Sequence, residues 1–101
     1  MEFPKYKFDD AVLLAIVKKY KMRELAFFGS VLRSDFNAGS DIDILVEFDA
    51  DAHYSLFDLF KIREDLSAIF GRNVDLVEKA GIKNPYRRQE IVENAMVLYA
   101  S

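Results

Sequence analysis

Three carboxylates stand where apolar strands do not ordinarily carry them. Asp41 and Asp43 are two residues apart at the head of the run Ile42-Asp43-Ile44-Leu45-Val46. In an extended strand both side chains leave the same face, about 7 Å apart along the backbone. Asp is depleted from strands and an unpaired buried carboxylate is costly, so the pair must lie at an edge, meet cations or hold a metal ion. An Asp-x-Asp taken alone is also what a turn residue followed by one solvated acid looks like. Asp75 shifts that weighing, because Asn73-Val74-Asp75-Leu76-Val77 again places an Asp near the start of an apolar run. Two parallel neighbouring strands with aligned starts would bring all three acids to one cavity. Hard oxygen donors, with neither Cys nor clustered His, suit Mg²⁺ or Mn²⁺. Two such ions about 4 Å apart are an established device for in-line phosphoryl or nucleotidyl displacement.

A second cluster complements the acids. Gly29-Ser30 follows the short apolar run Leu25-Ala26-Phe27-Phe28 and precedes Val31-Leu32-Arg33. If a helix opens there, its free N–H groups face outward, the glycine admits an anion close to the main chain and the serine hydroxyl adds a donor. Read by itself, Gly-Ser is an ordinary turn and cap. Arg33, one turn further on, is placed to meet a phosphate or to balance Asp41. Ten residues separate Ser30 from Asp41, so an anion cradle and an acid pair can meet at one end of two adjacent strands. The joint arrangement is far more specific than either part.

The elements that must do this positioning can be read from periodicity. Asp9 or Asp10 caps a helix running to about Tyr20, with Val12, Leu13, Ile16, Val17 and Tyr20 at helical spacing and Lys18 and Lys19 near its end. Residues 25–28 form a strand, a brief helix opens at Gly29-Ser30, and Asn37, Gly39 and Ser40 break the chain. Residues 41–48 read as a central strand mostly buried on both faces. After an acidic connector, Ser55 and Asp58 give a capping-box start to a helix whose Leu59, Ile62, Leu66 and Ile69 share a face and which stops at Gly71. Residues 73–78 form a third strand, Asn84-Pro85 opens a last helix and residues 96–100 form a final strand. The expected class is α/β (α+β): a mixed sheet of about four strands with helices packed mainly on one face.

Composition bounds what such a site can belong to. The chain has 101 residues, 51% hydrophobic, with nine Phe and five Tyr against four Gly and two Pro. That supports a single packed domain over residues 1–101 and argues against disorder. No Cys is present, which excludes thiolate–zinc sites, thiol catalysis and disulfides, and makes a reducing cytoplasm the expected compartment. The longest apolar stretch, residues 11–17, is seven residues where a membrane span needs about 20, so a soluble protein without a secretory leader is expected. A net charge of −3 and a pI near 5.1 disfavour direct nucleic-acid binding. They leave room for a small anionic ligand accompanied by a metal.

Phe28-Gly29-Ser30, ten residues including Arg33, and then Asp41-Ile42-Asp43 resemble the signature of the polymerase-β-like nucleotidyltransferases. With Asp75 as third acid in a chain of this size, the sequence is most similar to the minimal nucleotidyltransferases (MNT), the antitoxin half of HEPN/MNT toxin–antitoxin pairs. The resemblance covers nearly the whole chain and all five acid and Gly-Ser positions are intact. It implies the nucleotidyltransferase fold, ATP as substrate and Mg²⁺, two ions, as cofactor. It further implies transfer of AMP to a tyrosine hydroxyl of a cognate HEPN toxin, which silences that toxin in the manner of a type VII antitoxin. On this reading Gly29 and Ser30, with Arg33, hold the triphosphate. Asp41 and Asp43 hold the metals, and Asp75 completes the metal site or activates the attacking hydroxyl. A hetero-oligomer with the toxin is the implied assembly. Two other functions stay open: an antitoxin that neutralises by binding alone, and a nucleotidyltransferase with a small-molecule acceptor.

The remaining polar residues read more plainly. Lys79 follows the strand of Asp75 and could meet a phosphate, although a solvated strand end explains it as well. His53, the one histidine, lies in the acidic connector and reads as a surface residue. Residues 49–60 begin like a calcium loop but have Tyr54 where Gly is needed and Phe60 where Glu is needed, so an EF-hand is rejected. Arg87 and Arg88 with Glu90 and Glu93 read as a solvated face with local charge pairs.

Overall fold

The structure is a computed structural model and describes residues 2–3, 6–7, 9–29 and 41–101. Two strands of two residues each, β1 (Glu2–Phe3) and β2 (Tyr6–Lys7), form a small antiparallel ladder. Elements this short leave no periodicity to read. Helix α1 (Asp10–Lys19) starts where the Asp9 carboxylate accepts the Ala11 and Val12 N–H groups at 2.8 and 3.4 Å. Strand β3 (Met22–Phe28) is longer than its apolar run, because buried Met22 begins the alternation and the polar Arg23 and Glu24 hide it. The brief helix expected after Gly29, and the break at residues 37–40, lie outside the described residues.

Strand β4 (Ile42–Phe48) leads through a connector to helix α2 (Leu56–Phe70). The expected capping box is present: Ser55 Oγ accepts the Asp58 N–H at 3.2 Å, and Asp58 Oδ2 accepts the Ser55 N–H at 3.0 Å. Gly71 ends the helix in the left-handed conformation, φ 65°, which glycine adopts without a Cβ penalty. Strand β5 (Val74–Glu78) is followed by a 3₁₀ turn at Lys79–Gly81. Helix α3 (Pro85–Asn94) is capped by Asn84 with Pro at its first position, and β6 (Met96–Ala100) closes the order.

The main sheet runs β5-β4-β3-β6, with β4 and β5 parallel and the other pairs antiparallel. Leu25, Phe27, Ile42, Ile44, Val46 and Val74 pack on one face with Leu13 and Val17 of α1 and Ile62, Leu66 and Phe70 of α2. Ala26, Phe28 and Leu45 face the other way, against Val77, Ile82, Ile91 and Ala95. Two helices therefore cover one face, as expected, and α3 reaches the other through Ile91. The middle of β4 is buried on both faces, while Asp43 near its start and Glu47 and Phe48 at its end are half-buried. Among the described residues no helix is long and apolar enough to cross a membrane.

Candidate active site

Parallel pairing of β4 with β5 decides where the acids go. The register sets Ile42 beside Val74 and Asp43 beside Asp75. In a parallel pair, residues in register project to the same face. Since Ile42 and Val74 point into the α1–α2 core, Asp43 and Asp75 emerge on the opposite face. Asp41 precedes β4 by one residue, and the Ile42 N–H bonds to the Asn73 carbonyl at 3.0 Å, which ties the two strand starts together. The aligned starts expected from the sequence are thus observed.

The antiparallel pairing of β3 with β4 places Phe28 opposite Asp43, so Gly29 leaves β3 directly over that carboxylate. Gly29 has φ +70°, and a Cβ built there would lie 3.2 Å from Asp43 Cγ and closer still to Oδ2. Only glycine lets the chain turn here with the carboxylate in place. Ser30 and Arg33, the other two residues assigned to phosphate, lie outside the described residues.

Asp41 and Asp75 also line a polar cleft of about 290 Å³ with Arg63, Glu64, Ser67, Asn73 and Val74. It sits where the starts of β4 and β5 meet the middle of α2. Asp43 is not among the residues lining this cleft, so the three acids do not share the single cavity expected from the sequence. Asp43 packs under Gly29, and the exposed Asp41 and Asp75 border the cleft. Among the described residues no three carboxylate or imidazole side chains close into a ready-made metal cage. The donor set still suits magnesium, which demands oxygen ligands, retains several waters and commonly takes one or two carboxylates together with substrate phosphates.

Two residues of α2 escaped sequence reading. Ser67 Oγ accepts the Val74 N–H at 3.1 Å and so pins the start of β5, one residue before Asp75. Arg63 stands in the same cleft, 3.6 Å from the neighbouring Glu64 carboxylate and with its guanidinium 4.7 Å from the Phe60 ring centre. Both sit inside an ordinary amphipathic pattern, and their importance comes from what folds against the helix. Lys79 takes a structural part: Nζ donates to Glu24 Oε1 at 3.1 Å. Glu24 and Glu47 are cross-strand partners, and like charges so placed repel, so Lys79 relieves a strain within the sheet. His53 is exposed in the connector and Arg87 and Arg88 are exposed on α3, in keeping with their surface reading.

The model of the nucleotidyltransferase domain family matches residues 10–98. The chain belongs to this family. Among its nucleotidyltransferase relatives, a "putative protein adenylyltransferase" of Methanocaldococcus jannaschii is 46% identical over 77 residues, 76% of each chain. The protein adenylyltransferase MntA of Thermococcus cleftensis is 37% identical over 67 residues, 66% of each. The nucleotidyltransferase fold also recurs in solved structures. A chain of a toxin–antitoxin crystal structure with AMP-PNP superposes with a TM-score of 0.71 at 19% identity, covering 92% of this chain and 74% of that one. A chain of the complex between a tri-AMPylated Shewanella oneidensis HEPN toxin and an MNT antitoxin superposes with a TM-score of 0.64 at 19% identity, covering 91% and 70%.

Proposed function

We propose that this nucleotidyltransferase is a magnesium-dependent protein adenylyltransferase that moves AMP from ATP to a tyrosine hydroxyl of a cognate HEPN toxin and thereby inactivates it. The observation that carries the reading is the stacking of Gly29 on Asp43, with Asp75 in register beside Asp43. The glycine of the Gly-Ser motif lies over one acid, and a second acid stands one strand away. The names of the sequence relatives support protein adenylylation, and the superposed toxin–antitoxin chains support the partner class.

On this reading Gly29 and Ser30 border the triphosphate and Arg33 balances its charge, Ser30 and Arg33 being assigned by motif position. Asp41 and Asp43 would hold Mg²⁺, which when bound would supply charge neutralisation for the triphosphate. Asp75 orients the acceptor hydroxyl and takes its proton. The acceptor oxygen forms a bond to the α-phosphorus, the bond from that phosphorus to the bridging oxygen of the β-phosphate breaks, and pyrophosphate leaves in line. Holding the acceptor and the α-phosphate together is itself a large part of the rate gain.

Incubating the chain with Mg²⁺, ATP and the purified HEPN protein tests this. Intact mass spectrometry should show whole AMP units added to the HEPN protein, at tyrosine, and none with Asp41→Ala/Asp43→Ala. A wild-type chain that adds no AMP, or a double variant that still neutralises the unmodified toxin at equal expression, would leave neutralisation by binding alone.

A further inference from the structure

Helix α2 carries two apolar surfaces, and the sheet uses only one. Ile62, Leu66 and Phe70 are buried against β3, β4 and β5. Leu56, Phe57 and Phe60, in the first two turns, remain 85%, 88% and 55% exposed. Three large apolar side chains clustered this way are unusual on a surface that stays in water. Leu56 and Phe60, with Leu59, Arg63, Leu76 and Glu78, line a groove of about 300 Å³ between α2 and the edge strand β5.

That groove runs into the acid cleft. Arg63 lines both, and Leu76 of the groove follows Asp75 of the cleft directly along β5. A strand advances about 3.3 Å per residue, so the groove ends within one or two residues of the cleft that Asp41 and Asp75 border. We propose that the Leu56–Phe57–Phe60 surface of α2 is the docking platform for the acceptor protein and delivers its hydroxyl through the groove to Asp75. The inference rests on the adenylyltransferase reading above and adds to it the surface that selects the acceptor. Continuity with the cleft favours this occupant over a second copy of the chain, because the groove shares Arg63 with the cleft bordered by Asp41 and Asp75, the acids assigned to the transfer. Aromatic and aliphatic anchors at the centre of such a contact, with Arg63 and Glu78 at its margin, follow the usual layout of a specific interface.

Phe57→Ser/Phe60→Ser tests the platform without touching the acids, and both side chains are exposed enough for the fold to survive, which a thermal melt verifies. With Mg²⁺-ATP and the HEPN protein as acceptor, KM for the acceptor should rise about tenfold or more, as loss of central anchors does. The limiting rate kcat and ATP affinity, measured by equilibrium dialysis, should stay at wild-type values. An unchanged acceptor KM overturns the platform while leaving the adenylyltransferase reading intact. Failure of the wild-type chain to modify the acceptor overturns that reading and the platform with it. A stable dimer of the isolated chain that the double substitution dissolves in sedimentation also overturns the platform, by showing a second copy to be the occupant.

Discussion

Gly29 joins two demands at one position: a left-handed backbone, and a path close above the Asp43 carboxylate. Alanine there meets a backbone cost of about 1–2 kcal/mol and must push either the turn or the carboxylate aside. Misplacing a reacting group by about 1 Å can cost on the order of 10²-fold in rate. Gly29→Ala should therefore lower AMP transfer by about that factor while reducing stability by only about 1–2 kcal/mol. Transfer rates and urea titrations of the same preparation check both numbers. Wild-type transfer by Gly29→Ala would show that the contact with Asp43 is incidental. The Gly-Ser and Asp-x-Asp motifs were legible in the sequence, and the close approach that makes glycine obligatory was not, since it depends on Phe28 pairing with Asp43.

Among the elements, α2 does the most for the site. Its ends follow from local chemistry, a Ser55–Asp58 capping box and a left-handed Gly71, and both were readable in advance. Its middle contributes Ser67, whose hydroxyl accepts the Val74 N–H. Ser67→Ala removes that acceptor and leaves a part-buried N–H wanting, a cost of about 1–2 kcal/mol. Because Val74 precedes Asp75, the start of β5 should loosen as well. The expected outcome is a lower urea midpoint together with faster hydrogen exchange at Val74, followed by NMR, and slower transfer. Unchanged exchange at Val74 would show that pairing with β4 suffices to hold the strand. A serine within the pattern of a helix carries no sign of such a task.

Across the whole molecule, Tyr20 ties together parts distant in sequence. At the end of α1 its hydroxyl donates to Asp65 of α2, and its carbonyl accepts the Tyr54 hydroxyl at 2.5 Å from the connector after β4. Burial first, then the bond to Asp65, push the Tyr20 hydroxyl from 10.0 up to about 12. The fold thus favours the neutral phenol. The stability this adds is complete below pH 10 and is lost as pH rises through about 12. Tyr20→Phe should cost about 1–2 kcal/mol near neutral pH and should flatten the fall in stability between pH 10 and 12 relative to wild type. Denaturation series at fixed pH give the comparison, and parallel curves for the two proteins would count against the assignment. In the sequence Tyr20 is one more apolar position of α1. Its partners lie 34 and 45 residues away.

By itself the sequence determined the three α-helices and the four strands of the main sheet, the helix caps, the apolar face of α2 that meets the sheet and the nucleotidyltransferase class. Those properties depend on residues a few positions apart, which propensity, capping and periodicity encode directly. Tertiary structure alone decided that β6 pairs with β3, that Lys79 serves Glu24, that Asp43 lies under Gly29 while Asp41 and Asp75 border the α2 cleft, and that Arg63 links this cleft to an exposed apolar groove. Each of these rests on contacts between segments far apart in the chain. Their pairing is set by how the two faces of one sheet are packed, which no local pattern specifies.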